Sequence, residues 1–297
     1  MPMNDTTKMF VNKVLHLSKK IPLIRSKLDA FKETKRLEIL QMEKDAYWKE
    51  FSGDCYGGFY GIYKSFSEAR SSAPKTKLNN YDSIEQAEWD KKQFELHFEK
   101  LQAYDYPVIY WISRLHELTG KPFRVLDFGG NAGNHFYAYK KAIIHDFIEK
   151  WVVCDLPNIV SVGEEFKKYH EARLLSFVNS LPENYDVDLF LASGSIQYVD
   201  ESNPAFFIKY LKRKPSYLII NRIPLLNGEN KSKITLQNVH KSYSPMYTYN
   251  YNEFFASFCS IGYEILDIWR DFSCNCIIPH ESRLQIPYYH GTCMKLM

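Results

Sequence analysis

Phe123-Arg-Val-Leu-Asp-Phe-Gly-Gly-Asn-Ala-Gly133 decides how the rest of the chain is read. Mostly apolar residues lead to a carboxylate, three glycines then fall within five positions, and a helix-like run follows from His135 to Asp146. This is the pattern of a buried parallel strand that turns tightly into a helix. Glycine reaches positive φ without steric penalty and lets backbone approach a neighbour closely. The start of the following helix leaves N–H groups unpaired and open to a ligand.

Spacing discriminates between the ligands such a turn serves. A dinucleotide turn wants Gly-x-Gly-x-x-Gly, which from Gly129 requires glycine at 131 and 134, and both positions are asparagine. An acid at the strand end, Asp127, followed by Gly129 and Gly133, instead resembles the first motif of the class I S-adenosylmethionine (SAM) methyltransferases. That motif runs hydrophobic-hydrophobic-Asp-x-Gly-x-Gly-x-Gly. Its middle glycine is Asn131 here, and Gly130 sits one place early. Asparagine tolerates left-handed backbone angles better than most other residues, so the turn survives the exchange. The alternative on the motif alone is a glycine-rich turn that holds no ligand.

The 297 residues are enough for one large α/β domain with added helices. At 45% hydrophobic and 25% charged, the chain has an ordinary globular composition, and a net charge of +3 is too small to argue for nucleic acid. Aromatics reach 16%, with 22 tyrosines, which suits stacking on sugars or bases and equally a tyrosine-rich core. The six cysteines are scattered and no signal peptide is recognisable, so free thiols in the cytoplasm are expected. Cys274-Asn-Cys276 lacks the spacing of common zinc sites, and no metal is expected. No apolar run approaches the roughly 20 residues that cross a bilayer.

Residues 1–36 hold nine Lys/Arg against three Asp/Glu. Phe10, Val14, Leu17 and Ile21 recur among lysines at helical spacing, sketching a basic amphipathic helix before Pro22. Such a helix either contacts an anionic membrane face peripherally or packs on its own domain. Ser26 to Phe51 is again helical in pattern. Phe51 to Gly61, four glycines among aromatics, is expected to be a loop, either a lid or a tight aromatic turn. A polar linker over 73–80 separates this N-terminal extension (1–80) from the main domain (81–297). Ser83 and Gln86 form a capping box for a helix to about Tyr104, and Tyr106-Pro107 opens another that Gly120 can end.

Strands then alternate with helices. Trp151-Val-Val-Cys-Asp155 is the second strand, and an acid at its end is placed to accept hydrogen bonds from ribose hydroxyls. Asp155 can alternatively cap a helix, with Pro157 in the first turn. Arg173 to Val178 is the third strand, putting Phe177 and Val178 beside an adenine. Asp186 to Ala192 is the fourth, running into Ser193-Gly194, and Tyr217 to Ile220 the fifth, running into Asn221-Arg222. Residues 222–252 are a polar, Tyr-rich insertion on the substrate side, with Gln237, His240 and Tyr243. Glu253 to Ser260 is a helix, and Tyr263 to Arg270 and Thr292 to Leu296 close the sheet as an antiparallel hairpin. The expected fold is therefore α/β, with a Rossmann-like, mostly parallel class I methyltransferase sheet, an antiparallel last strand and an N-terminal helical extension.

Val-Leu-Asp-Phe-Gly-Gly at 125–130, Cys-Asp-Leu-Pro at 154–157, Ala-Ser-Gly-Ser-Ile-Gln-Tyr at 192–198 and Asn-Arg-Ile-Pro at 221–224 together resemble a narrower family. It comprises SAM-dependent methyltransferases associated with bacterial surface-polysaccharide biosynthesis. The segment before Ser65-Phe-Ser-Glu-Ala69 is also similar to that family, so the resemblance spans roughly 50–297. It implies SAM held by Asp127, Gly129, Gly130, Asn131, Gly133, Asp155, Leu156, Phe177, Val178, Ser193 and Gly194. The acceptor implied is a sugar, glycan or nucleotide sugar. Displacement at the sulfonium methyl needs in-line alignment and, for a hydroxyl acceptor, a base. His240 is the first candidate base and His135 the second, with Tyr198 and Arg222 positioning the acceptor. The competing expectations are a SAM-binding partner of a glycan-assembly complex without turnover, and an N- or O-methyltransferase of a small metabolite.

Overall fold

The computed structural model describes Met9 and residues 22–53, 56–78, 81–142, 147–183, 185–228 and 230–297. The basic helix expected before Pro22 lies outside the described residues. The chain divides into two compact units, Met1–Glu50 and Phe51–Met297. Residues 51–78 thus share a unit with the sheet, where the sequence reading puts the boundary at residue 80. Helix α1 (Pro22–Phe51) runs through the first unit. Its Phe31, Leu37, Ile39 and Met42 are exposed, and Lys35 pairs with Glu38 one turn on. Among the described residues no helix is long and apolar enough to cross a membrane.

The second unit is built on seven strands: β2 (Phe123–Phe128), β3 (Ile148–Cys154), β4 (Leu175–Val178), β5 (Leu189–Ser193), β6 (Tyr217–Ile223), β10 (Tyr263–Asp271) and β11 (Tyr289–Leu296). Their order is β10-β11-β6-β5-β2-β3-β4. The five strands β6-β5-β2-β3-β4 are parallel, and β11 runs antiparallel between β6 and β10. This is the mostly parallel sheet with an antiparallel closing hairpin that the sequence leads one to expect. The chain builds outward from β2 through β3 to β4, then returns to β5 on the other side of β2. That reversal opens a crevice beyond the strand ends, where open α/β sheets bind ligands.

Side-chain alternation along these strands sorts residues into two cores. Val125, Trp151, Val153, Leu189, Leu191 and Ile219 point to one face, and Leu126, Val152, Phe190, Ala192, Leu218 and Ile220 to the other. Both faces must be covered, which is why the strands are apolar throughout rather than alternating. The first face receives α3 (Ile84–His97), α4 (Tyr106–Thr119), α5 (Asn134–Tyr139) and α6 (Pro157–Tyr169) through Phe94, Ile112, Phe136 and Phe166. The second receives α7 (Tyr251–Cys259) and a 3-10 turn at Phe206–Tyr210, where Phe207 stacks on Phe190 at 3.7 Å.

Several expected boundaries move. The helix after the glycine turn ends at Tyr139 instead of running to 146, although residues 143–146 are not described. The helix opened by Ser83 stops at His97, because Glu99 takes a left-handed φ of 56°, and a 3-10 turn follows at Ala103–Asp105. Strand β11 starts at Tyr289, earlier than the expected 292.

The larger departure lies in the glycine-aromatic segment and the insertion. Phe59–Tyr63 is a strand, β1, followed by the short helix α2 (Phe66–Ser72), and β1 pairs antiparallel with β8 (Lys233–Val239). Strand β8 forms a hairpin with β9 (Ser242–Asn250) across the two-residue turn His240-Lys241, and β7 (Leu225–Leu226) runs parallel to β9. Two segments expected as loops thus form a second sheet of order β1-β8-β9-β7. Their Thr, Tyr, Ile and Val content suits strands, but Thr235, Asn238, Ser242 and Thr248 are buried, so the apolar alternation that announces a strand is missing.

Gly163 of α6 packs directly on Phe177 of β4, and a methyl at its Cα would overlap the ring. Alanine is intrinsically better in a helix by ~1 kcal/mol, yet overpacking costs ~1–3 kcal/mol. Gly163→Ala is therefore expected to lower the urea midpoint; an unchanged or raised midpoint would show that α6 and β4 are not packed this closely.

Candidate active site

Beyond β2 the chain turns through Gly129, at φ +71°, and Asn131, at φ +54°, to Gly133, which caps α5 at φ +91°. The Gly129 amide donates to Cys154 O at 2.8 Å, so the turn stays bonded to the end of β3. A methyl on Gly129 would overlap Ser195 Cβ, and one on Gly130 would overlap the Asp127 carboxyl. Close approach by the protein's own atoms is thus enough to require both glycines.

Asp127 is fully buried behind this turn. Trp151 Nε1 donates to its Oδ2 at 3.1 Å, and His135 Nδ1 lies 3.0 Å from both oxygens. An ionised carboxylate only accepts, so the imidazole carries its proton on Nδ1 and leaves Nε2 to face another partner. Burial pulls the His135 pKa down, but the charge and hydrogen bond of Asp127 outweigh it and hold it above the ordinary value.

Asp155 follows β3 and joins two loops. Its Oδ2 accepts from Asn131 N at 2.8 Å and its Oδ1 from Leu156 N at 2.7 Å. The residue in the N-cap position of α6 is Leu156. Burial raises Asp155 to about 6 against the opposing pull of those two amides. Leu156 is 37% exposed, Val178 is half-buried, and Phe177 is buried against Gly163 and Gly133. The exposed apolar surface at this edge is therefore Leu156 rather than Phe177.

A residue with no sequence signal completes the edge. Asp90, on α3, is 6% exposed; Gln86 Nε2 donates to its Oδ1 at 3.3 Å, and Tyr81 and Asn131 turn polar side chains towards the same carboxylate. Burial raises Asp90 to about 6, and the nearby Asp155 adds to the rise. Helix α3 is held on α6 by Lys91 to Glu165 at 2.8 Å and by the Phe94–Phe166 ring pair at 4.2 Å. In a run of alternating charges, one aspartate that turns inward looks like its solvated neighbours.

Across the crevice, Ser193 Oγ accepts from Asn221 Nδ2 at 3.2 Å, and Gly194, at φ +71°, donates to Asn221 O. Ser195 Oγ donates to Phe128 O at 2.6 Å, closing the loop after β5 onto the glycine turn. Arg222 has φ +59°, and its guanidinium lies 4.1 Å over the Tyr104 ring. It donates to Cys274 Sγ at 2.8 Å, with Asp271 Oδ2 3.5 Å from its Nε. Tyr198 donates to Gln237 Oε1 at 2.6 Å, and burial raises its pKa. Cys274, Asp271 and Tyr104 were not legible beforehand, since they come from segments remote in sequence.

His240 stands apart from the strand ends, at the β8–β9 turn with φ +50°. Its ring is covered by Tyr56 and by Trp89, each with centroids 3.5 Å away. Burial, with Lys77 and Lys241 nearby, lowers it to about 4, so it is neutral at pH 7. These five residues line a shallow surface recess.

No protein-family model matches the chain, and no curated protein sequence does. Similar solved structures include a SAM-dependent methyltransferase from Clostridium acetobutylicum, 13% identical, covering 69% of this chain and 98% of that one with a TM-score of 0.43. The cyclase SpnF is 12% identical over 74% of this chain and 98% of its own, with a TM-score of 0.45. The glycopeptide N-methyltransferase MtfA, complexed with S-adenosylhomocysteine, is 8% identical over 63% and 89%, with a TM-score of 0.44. At these identities the likeness concerns the fold.

Asp90 supplies a stability test. Its folded pKa of about 6 lies above the unfolded carboxylate value, so the folded state holds the proton more tightly. The group's contribution is most favourable below the unfolded pKa and is lost as pH rises to about 6. Asp90→Asn, which cannot ionise, is expected to be more stable than the parent by on the order of 1–3 kcal/mol at pH 7.5. The difference should shrink towards zero near pH 4 in urea melts; a less stable variant at pH 7.5 would contradict the burial.

Proposed function

We propose that the chain is a SAM-dependent O-methyltransferase whose acceptor is a sugar or glycan intermediate of surface-polysaccharide assembly. The observation that carries this reading is Asp155, set at the end of the strand next to β2 and beside the sheet's reversal point. Its two backbone amides leave further lone pairs for a ribose diol. The surrounding residues fit the cofactor: beside Asp155, Leu156 offers exposed apolar surface. When bound, SAM supplies a methyl group already activated on sulfur. What remains for the chain is to orient the acceptor and take its proton.

His135 is the better base on geometry. Asp127 fixes its Nδ1–H and favours the imidazolium that forms when Nε2 accepts a hydroxyl proton, the logic of any histidine oriented by a buried carboxylate. His240, first on sequence grounds, has both ring faces covered and lies at a hairpin turn. Arg222 sets a cation beside the anionic side of the acceptor, its guanidinium stacked on Tyr104 and held by Asp271 and Cys274. A second reading, SAM binding without turnover, is favoured by the packing of Ser195 against Gly129 and by Asn131 in place of the motif's middle glycine.

Calorimetry with S-adenosylhomocysteine separates these. Wild type is expected to bind, and Asp155→Asn to bind at least tenfold more weakly; failure of the wild type to bind would remove the cofactor assignment. On sugar-nucleotide and glycan acceptors, His135→Gln should keep cofactor affinity within threefold while methyl transfer falls ~100- to 10,000-fold. Transfer should rise with pH as His135 loses its proton, above the ordinary histidine range. Undiminished transfer in His135→Gln would exclude it as the base, and cofactor binding with no transfer to any acceptor would favour the second reading.

A further inference from the structure

Asn238, near the end of β8, builds a recess around the hairpin turn. It is fully buried; its Nδ2 donates to Phe51 O at 2.8 Å, and its Oδ1 accepts from Lys77 Nζ at 2.8 Å. Its backbone bonds Gly57 and Gly58 at 2.9 Å each. These bonds set Tyr56 and Lys77 beside the turn, where His240 lies between Tyr56 and Trp89 of α3, its ring centroid 3.5 Å from each. Lys241 completes a recess of about 170 Å³.

Holding a hairpin does not require all of this. A two-residue turn favours glycine or asparagine where φ is positive, yet histidine stands there at φ +50°. Tyr56 lies within 20° of parallel on the imidazole and is still 63% exposed, so its outer face is an aromatic platform in solvent. The charges felt by the His240 ring are those of Lys77 and Lys241, and among the described residues no acid lines the recess. Flat aromatic surface and positive charge therefore occur together. The strand that carries them also reaches the crevice: Gln237, the residue before Asn238, accepts from Tyr198 of the loop after β5. From Gln237 to His240 is about 10 Å of extended chain.

We infer that the recess is a subsite for an acidic sugar unit of the acceptor, remote from the unit that is methylated. The inference rests on the reading above that the acceptor is a glycan, and adds that this glycan carries carboxylate or phosphate. A pyranose lays an apolar face of C–H groups on an aromatic ring while its hydroxyls stay hydrated, which suits Tyr56. Lys77 and Lys241 hold the anionic group by charge-assisted hydrogen bonds. His240 acts here as the wedge between two rings, not as a base. An acceptor of several units, its reacting end beside Tyr198, extends along β8 into the recess, and binding there aligns the reacting hydroxyl.

The test uses the full chain without cofactor and calorimetry with tetragalacturonic acid, its carboxyl-reduced form and galactose 1-phosphate. Wild type is expected to bind an acidic probe and to bind the reduced tetrasaccharide at least tenfold more weakly; the acidic probe that binds distinguishes carboxylate from phosphate. Tyr56→Ala and Lys241→Gln, both at exposed positions, should each weaken acidic binding about tenfold. Removing the acid from the ligand should cost Lys241→Gln little further, because the two changes delete the same contact. Lys241→Gln decides the matter should Tyr56→Ala shift the urea midpoint. Equal affinity for the acidic and reduced saccharides, acidic binding unchanged in Lys241→Gln, or no binding of either acidic probe would each overturn the inference. S-adenosylhomocysteine binding and transfer to a neutral glycan would then leave the proposed function standing. Acidic binding lost in both variants of a chain that does not bind S-adenosylhomocysteine would remove methyl transfer and keep the recess as an acidic-sugar site.

Discussion

The fully buried carboxylate of Asp127 constrains everything around it. A charge taken out of water is tolerable only when hydrogen-bonded and paired, and here Trp151 and His135 do both. Trp151 comes from the neighbouring parallel strand and His135 from the helix that follows the turn, so one carboxylate fixes strand register, turn shape and helix start together. Gly130 must be glycine because that carboxyl occupies the space its side chain would need. The fully buried Tyr139 donates to Asp105 at 2.8 Å, extending the same polar seam to the residue before α4.

From that anchor the site follows. The reversal of strand order around β2 leaves a crevice, and loops from β3, β5 and β6 reach it because parallel strands all end on one side. The second sheet and the segment between Gly262 and Tyr289 add what the parallel sheet lacks. Gln237 of β8 receives the Tyr198 hydroxyl, and Cys274 and Asp271 surround the Arg222 guanidinium. Left-handed backbone at Asn131 and Arg222 marks bends in the chain at the strand ends, while at His240 it makes the two-residue turn of the β8–β9 hairpin.

Much of the sheet was legible because burial on both faces leaves a direct trace. Strands such as Leu189–Ser193 are continuous apolar runs, and an acid at the end of β2 and another after β3 punctuate them. The β1 and β8–β9 strands were not legible. Their buried positions include Thr235 and Asn238, satisfied by bonds to remote backbone such as Thr235 to Tyr60 O and Asn238 to Phe51 O, which no local pattern reveals. Asp155 could be singled out because its place at a strand end is informative in itself. Asp90 could not, since its direction depends on how α3 is docked rather than on its neighbours in sequence.

The sequence by itself determined the α/β class, the order of strand and helix, the glycine turn and the acid after the second strand. Those depend on periodicity and on backbone angles that only a few residues accept. Tertiary structure alone decided which histidine sits on a buried carboxylate, which rings cover His240, and that the one aspartate of α3 turns inward. Each of these is a contact made in three dimensions, between segments far apart in the chain or, for His135 on Asp127, across a turn eight residues long. Its existence depends on the packing of helices against a twisted sheet, a relation in space that no window of sequence contains.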